Sequence, residues 1–359
     1  MEFLILHAYS AQNAGDGLLV EEAIEVIKDR FGHDASITLM ASHPRTFDRF
    51  GVSVVNSLPR SWSESKTYAR ILRRIDSFDL VVGVGGGYLR AGHPMEALRS
   101  AIVHGPQLWA ASRRTGPVVY LPQSIGPAAF GLRAPLSRLL RGIDVVYVRD
   151  DRSVNEFGDV ALRRRPDMAL IAKDAVDTVS DIPTGRPILS VRAIRGTVPQ
   201  RVQTLASIVK EFDGYIQSTT GGNNDVSAME SLSPVVTVPR HELISARAEG
   251  RRVVVAVRLH AALMALNAGH FVIHLAYERK GFGAFQDLGL DDFVHNVNSF
   301  DPKHVHHQIR EFYESAHRRE SYAEAVGVAR RRLAQSRDVL ESDLAALMGT
   351  ATWEGRGRK

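Results

Sequence analysis

Within the stretch VRLHAALMALNAG, Arg258 and His260 stand two apart, between the apolar run VVVAV and an alanine-rich helical segment. Either they cap a core element, or they hold an anion at the start of that helix. A guanidinium meets carboxylate or phosphate as a two-pronged donor, and the N–H groups of a helix start add partial positive charge. Arg192 ends the run ILSVR as Arg258 ends its own, and Lys280 follows FVIHLAY. Arg192, Arg258, His260 and Lys280 therefore fall at strand ends on the ligand edge of one parallel sheet, a set suited to a densely charged anion.

Other loops carry polar chemistry too. SAQNAGD sets Asn13, Gly15 and Asp16 after the first strand. Gly15 permits close backbone approach, and the ordinary role for Asp16 is a helix N-cap. The run GVGGG, with Gly85, Gly86 and Gly87, requires close approach of either a ligand or another helix. It completes no dinucleotide fingerprint, because Tyr88 holds the third glycine position, and no Gly-Lys-Ser/Thr makes it a P-loop. Arg149 in VRDDRS is either an anion ligand or a structural clamp. Asp225 in STTGGNND is either a base or the cap of the next helix. No HExxH occurs, and His304, His306 and His307 share a helical segment as a solvated cluster, so no metal site is expected.

These loops need a scaffold, and the apolar pattern supplies one. FLILHAY, DLVVGV, PVVYL and IDVVYV in the first half, then ILSVR, VVVAV and FVIHLAY, alternate with helical segments. Near-continuous apolar strands between helices predict parallel sheets covered on both faces. The expected architecture is α/β, with two Rossmann-like domains facing across a cleft and C-terminal helices crossing back. The expected divisions are residues 1–182, 183–301, a helical segment 302–348 and a flexible basic tail 349–359. In detail, GGGYLRAG and PQSIGP are expected as loops, 94–113 as one helix and 241–249 as another.

Composition narrows the class. At 44% hydrophobic and 24% charged residues the 359-residue chain is that of a soluble globular protein. The absence of cysteine excludes disulfides, thiolate zinc sites and a cysteine nucleophile. The start MEFLILHAYSAQ lacks a signal-peptide pattern and no apolar run approaches a membrane span, so a cytoplasmic protein is expected. The net charge of +5 is mild. The clusters Arg318–Arg319 and Arg330–Arg332 and the ending GRGRK are expected to be a solvated helix face and a tail, with no nucleic-acid partner.

Taken together and in order, NAGDG, VGVGGGYL, PQSIGP, VRDDRS with RPDMAL, SVR, and RLHAALMALNAG followed by Tyr277 and Lys280 form a pattern. The sequence resembles the polysaccharide pyruvyl transferase family from about Phe3 to Leu290. It departs at Val257, where a small polar residue is common, and at Pro122, where glycine is. The resemblance implies a GT-B-like fold and an envelope or exopolysaccharide enzyme. It also implies transfer of pyruvate from phosphoenolpyruvate onto two sugar hydroxyls as a ketal, releasing phosphate. No cofactor is implied beyond phosphoenolpyruvate as donor substrate. On this footing His260 and Arg258 are the catalytic candidates, with Arg192 and Lys280 beside them holding the donor. Asn13, Gly15, Asp16 and Gly85–Gly87 would face the acceptor, and Arg149 and Asp225 are further candidates. The acceptor implied is a sugar, carried on a lipid-linked oligosaccharide, a nucleotide sugar or a finished glycan; a lipid-linked one would bring the Arg-rich helical end to the inner membrane face. The competing expectation is a GT-B glycosyltransferase with a nucleotide-sugar donor. A simple nucleic-acid or membrane binder ranks last, since it leaves the polar loops unexplained.

Overall fold

The computed structural model describes residues 1–172, 175–176, 178–219, 224–244 and 250–354. Its first sheet contains β1 (Glu2–Ala8), β2 (Ser36–Ala41), β3 (Ser53–Asn56), β4 (Leu80–Gly83), β5 (Gly86–Ala91), β6 (Val118–Ala128), β7 (Val145–Val148) and β8 (Leu162–Arg164). The order is β3-β2-β1-β4-β6-β7-β8, with β5 also beside β6. The second sheet contains β9 (Ile188–Ser190), β10 (Asp213–Tyr215), β11 (Thr237–Val238), β12 (Val253–Ala256), β13 (Phe271–Ala276) and β14 (Val294–Asn296), ordered β11-β10-β9-β12-β13-β14. The described pairings are parallel in both. Parallel neighbours require long crossovers, and helices supply them. These are α1 (Ala14–Phe31), α2 (Trp62–Arg73), α3 (Pro94–Val103), α4 (Gly105–Ser112), α5 (Arg133–Leu140) and α6 (Asp151–Glu156) among the first strands. Among and after the second strands come α7 (Gln200–Val209), α8 (Val226–Glu230), α9 (Arg240–Leu243), α10 (Leu259–Asn267), α11 (Arg279–Asp287), α12 (Pro302–Glu314) and α13 (Ala316–Glu354). This is the two-domain, Rossmann-like α/β fold expected from the alternation of apolar strands and helices.

Two compact units result. One comprises Met1–Ala11, Asp16–Met168 and the chain from Ser336; the other comprises Gln12–Gly15 and Ala169–Gln335. The division thus falls ahead of the Pro- and Gly-containing segment near residue 182. Hydrogen bonds explain why: Asn267 Nδ2 donates to the Ala169 carbonyl at 2.6 Å, and the Val176 N–H donates to the Asn267 carbonyl at 2.6 Å. The C-terminal helix also continues past residue 348, to Glu354, and residues 355–359 lie outside the described residues.

Several local expectations change for identifiable reasons. GGGYLRAG is a strand, not a loop: β4 and β5 lie end to end along β6, which runs on through PQSIGP. The glycines serve that packing. A Cβ on Gly83 would lie 2.6 Å from the Tyr120 ring, and one on Gly85 would lie 2.8 Å from the Pro122 carbonyl oxygen. The neighbour that requires them is therefore a strand, not a helix. The helix expected over 94–113 divides into α3 and α4 at His104, just before Pro106, which lacks the N–H to continue it. The helix expected over 241–249 is α9 as far as Leu243; residues 245–249 lie outside the described residues.

The arginines of α13 are largely occupied rather than solvated. Arg330 donates to the Leu266 carbonyl at 2.8 Å and Arg332 to the Asp287 carbonyl, in the last turns of α10 and α11. Cations at helix C-termini add to the bonding of the last-turn carbonyls and complement the helix dipole. Arg337, 9% exposed in its side chain, bonds Glu22 and Asp29 of α1 and Glu341 of its own helix. Among the described residues no helix is long and apolar enough to cross a membrane. Removing Arg337 would leave buried carboxylates without their counter-charge, a loss of about 3 kcal/mol. Arg337→Ala should therefore lower the thermal unfolding midpoint by several degrees; an unchanged midpoint would mean that those carboxylates reach water.

Candidate functional site

In an open parallel sheet the ligand position lies beyond the strand ends where the strand order reverses. In the second sheet that point is between β9 and β12. Arg192 follows the first of these strands and Arg258 the second. Arg258 is the N-cap residue of α10, and extended backbone there (φ −82°, ψ 122°) turns the chain from strand into helix. One edge of its guanidinium is held by a single carboxylate through two bonds: Nε donates to Asp225 Oδ2 at 2.9 Å and Nη2 to Asp225 Oδ1 at 2.6 Å. Both side chains are nearly buried, at 10% and 2% exposure. Asp225 occupies the N-cap position of α8 yet makes no capping bond from its side chain. Of the two roles open to it in the sequence, the cap is excluded, and its carboxylate holds Arg258 instead. Burial lifts the Asp225 carboxyl above its ordinary range, while the bonds and charge of Arg258 pull it back down.

A segment from the far N-terminus completes this site. Asn13 bridges to Ser218, the Ala14 N–H donates to the Gln217 carbonyl at 3.2 Å, and the Asp225 N–H donates to the Ser218 carbonyl at 2.8 Å. These bonds press the backbone of Gly15 onto the imidazole of His260. A Cβ on Gly15 would lie 2.3 Å from His260 Nδ1, closer than real Cβ contacts come. Asn13 Oδ1 accepts from the Gly15 N–H at 3.2 Å, so Asn13, not Asp16, caps the start of α1. Asp16 lies in the first turn of that helix and belongs to the other unit. Asn13 and Gly15, expected on the side of the first domain, are packed with the second unit beside His260.

The remaining cations have partners of their own. Arg192 donates from Nη1 to the Tyr277 hydroxyl at 2.7 Å, with its guanidinium carbon 4.9 Å from the centre of that ring. Lys280 Nζ sits 2.8 Å from Glu278. The edge is thus not four uncompensated positive charges, because Arg258 and Lys280 each carry a carboxylate. Two buried groups here were passed over in the sequence. His274, in FVIHLAY, bonds the Ala256 carbonyl through Nδ1 at 2.8 Å, and burial pushes its pKa down to about 4. Gly281 packs on the same imidazole, where a Cβ would lie 2.3 Å from Nε2. The signal for His274 was a titratable residue inside an otherwise apolar strand.

The first sheet reverses between β1 and β4, and its strand end is built differently. His7, buried on β1, has φ of 71°, a conformation costly for a residue with a Cβ. Its N–H donates to Gln107 Oε1 at 2.9 Å, Nε2 is 2.8 Å from the Tyr120 hydroxyl, and its ring stacks on Tyr88 with centroids 4.6 Å apart. His7 Nδ1 and His104 Nδ1 are 3.3 Å apart, so one must donate and the other accept. Burial, with the two imidazoles opposing each other's charge, holds His7 well below its ordinary value, and burial pushes His104 down to about 4. Gly85 and Gly86 are buried at this end, and Gly87 is exposed near Arg149. Arg149 pairs with the buried Asp167 and donates from Nε to Ser124 Oγ at 3.0 Å, the geometry of the structural clamp. No cluster of three or more groups suited to a metal occurs among the described residues.

Comparison with known proteins agrees with this architecture. The family model for polysaccharide pyruvyl transferase matches residues 13–217. That match ends before Arg258 and His260, whose place in the site rests on geometry. No curated protein matches the chain. Among solved structures, a glycosyltransferase from Rickettsia africae ESF-5 is 9% identical with a TM-score of 0.58, covering 98% of each chain. Phytolacca americana UGT2, complexed with UDP-2fluoro-glucose and pterostilbene, is 10% identical with a TM-score of 0.52, covering 97% of this chain and 99% of its own. A UDP-N-acetylglucosamine 2-epimerase is 11% identical with a TM-score of 0.50, covering 93% of this chain and 94% of its own. At such identities the likeness is one of fold.

Two outcomes follow from the geometry. Gly15→Ala should displace the His260 ring, shifting its imidazole NMR resonances while leaving those of His7 and His104 in place; unmoved His260 signals would refute the contact. The second concerns pH. His7 and His104 are neutral when folded but take up protons in the unfolded chain near the ordinary value of 6.5. The stability they lend is whole above about 6.5 and is lost as the pH falls towards about 4. His104→Gln should flatten that decline in melting temperature, and an unchanged slope would assign it elsewhere.

Proposed function

The chain belongs to the polysaccharide pyruvyl transferase family, and we propose on that premise that it transfers pyruvate from phosphoenolpyruvate to two hydroxyls of a sugar. The observation that carries this proposal is the placement of Gly15, His260, Arg258 and Asp225 at one strand end. Phosphoenolpyruvate presents a phosphate and a carboxylate close together. A guanidinium fixed in its plane by Asp225, a helix start and an imidazole meet such groups in geometry and charge. Arg192, beside Tyr277, and Lys280 would add to the donor site.

In the reaction proposed, a proton is added to the methylene carbon of the donor and positive charge develops at C2. One sugar hydroxyl forms a bond to C2 and gives up its proton. The C2–O bond to phosphate then breaks, and the second hydroxyl closes the ketal with loss of its proton. His260 would supply the first proton or bind the phosphate that leaves. Arg258 would stabilise charge accumulating on that phosphate, which is where fixed cations contribute most to rate. Asn13 and Gly15 act here by holding the imidazole. Gly85–Gly87 and the strand end around them are the proposed acceptor side, and a sugar unit of an envelope or extracellular polysaccharide, free or lipid-linked, is the proposed acceptor.

The test does not require the acceptor. Phosphoenolpyruvate at about a hundred times its Kd should stabilise the folded chain by about 2.7 kcal/mol and raise its melting temperature. Arg258→Ala should abolish that rise. Stabilisation by UDP or GDP in place of phosphoenolpyruvate would reverse the assignment in favour of a nucleotide-sugar donor. With a competent acceptor, His260→Ala should lower phosphate release on the order of a hundredfold with little change in melting temperature; undiminished release would remove His260 from the chemistry.

A further inference from the structure

Helices α3 and α4 of the first unit expose a row of large apolar side chains. Met95, Leu98, Ile102 and Trp109 are 72%, 55%, 56% and 54% exposed. Their spacing of three, four and seven residues keeps them on one face of a helix. The break at His104 does not spoil that register. The His104 N–H donates to the Ser100 carbonyl and the Leu108 N–H to the His104 carbonyl, both at 2.9 Å, so helical bonding carries across the junction. The opposite side is the core face, with Val103, Leu108 and Ala111 buried.

The charges around this row have one sign. Arg99 is exposed on α3, and Arg113 lays its guanidinium over the Trp109 ring at 4.9 Å. Glu96 is the carboxylate of these two helices, and it is turned away into bonds with Arg90 at 3.1 Å and the Gly92 N–H at 2.8 Å. Helix α2, which packs against α4, buries none of its own residues. It carries Trp62, 76% exposed, with Lys66 5.2 Å from the centre of its ring. An apolar helix face edged by tryptophans and cations, lacking free acidic groups, has the composition of an interfacial surface.

We propose that the α3–α4 face docks on an anionic lipid surface, with the apolar row entering the headgroup boundary and Arg99 and Arg113 meeting lipid phosphates. Charge favours a lipid over a second copy of the chain. A two-fold contact through this face would set one cationic patch lacking free carboxylates against another, whereas an anionic leaflet complements it. The surface is distinct from the Arg-rich α13, whose Arg330, Arg332 and Arg337 are bonded to carbonyls and carboxylates. The inference does not depend on the reaction proposed above.

Sedimentation of the full chain with vesicles tests it. The protein should pellet with vesicles of phosphatidylglycerol and phosphatidylcholine, should do so less in high salt, and should stay in solution with phosphatidylcholine alone. Leu98→Asp with Ile102→Asp should weaken binding to the anionic vesicles by about tenfold or more. Arg99→Glu with Arg113→Glu should do likewise. All four positions are exposed, so the melting temperature should hold and report that the variants are folded. Wild-type protein left in the supernatant, or variants that pellet as wild type does, would overturn the proposal. So would a dimer in sedimentation velocity that the Leu98→Asp, Ile102→Asp variant splits, which would give the face to a second copy instead.

Discussion

The absence of one Cβ, at residue 15, is the constraint on which the candidate site depends. The segment Gln12–Gly15 is joined to the second unit through Ser218 and Gln217, and those bonds leave no room between its backbone and the His260 ring. Any side chain there must move the imidazole or break the bridge. Because α1 starts at Ala14, inside the same segment, the position of His260 and the start of the first helix are set together. An imidazole so confined loses little rotamer freedom when a ligand arrives, which is what a site working through a fixed geometry requires.

The pairing of Arg258 with Asp225 acts in the same direction and has its own cost. Taking both charges out of water is unfavourable, and a well-packed apolar pair at that place would often be as stable. What the ion pair supplies is direction. Two parallel hydrogen bonds fix the plane of the guanidinium at the N-cap of α10, where the helix N–H groups already favour an anion. The same reasoning separates this arginine from Arg337, whose three carboxylate partners tie helix to helix and leave it a structural role.

How much of this was legible in the sequence follows from the range of each interaction. Apolar runs such as VVVAV and FVIHLAY announce buried parallel strands because both faces of each strand are covered, and Arg258 and His260 are legible because they directly follow one. Asp225 as the partner of Arg258 was not, since it lies 33 residues away and a carboxylate before a helix is equally a cap. GVGGG misled for a related reason: glycine reports that something comes close, not what, and here it was the Pro122 carbonyl of the neighbouring strand. Gly15 faced the same limit, and its neighbour lay beyond any local pattern. His7 and His274 left a signal in the sequence, a histidine inside an apolar strand, but their partners Tyr120, His104 and Ala256 come from elsewhere in the chain.

The two strand-order reversals also differ in chemistry, and the difference bears on which kind of ligand each would take. At the second, Arg258 is paired with Asp225 and Lys280 with Glu278, an environment already built to hold anionic groups. At the first, His7, His104, Tyr88 and Tyr120 are packed as neutral rings, and burial opposes charge on each. A dianionic donor would be penalised beside that cluster and welcomed beside Arg258. A sugar, neutral and rich in hydroxyls and C–H faces, is penalised at neither and is suited to rings and glycine backbone. Desolvation of charge therefore supports the proposal that the donor binds the second unit, at Arg258, and not beside the neutral rings of the first.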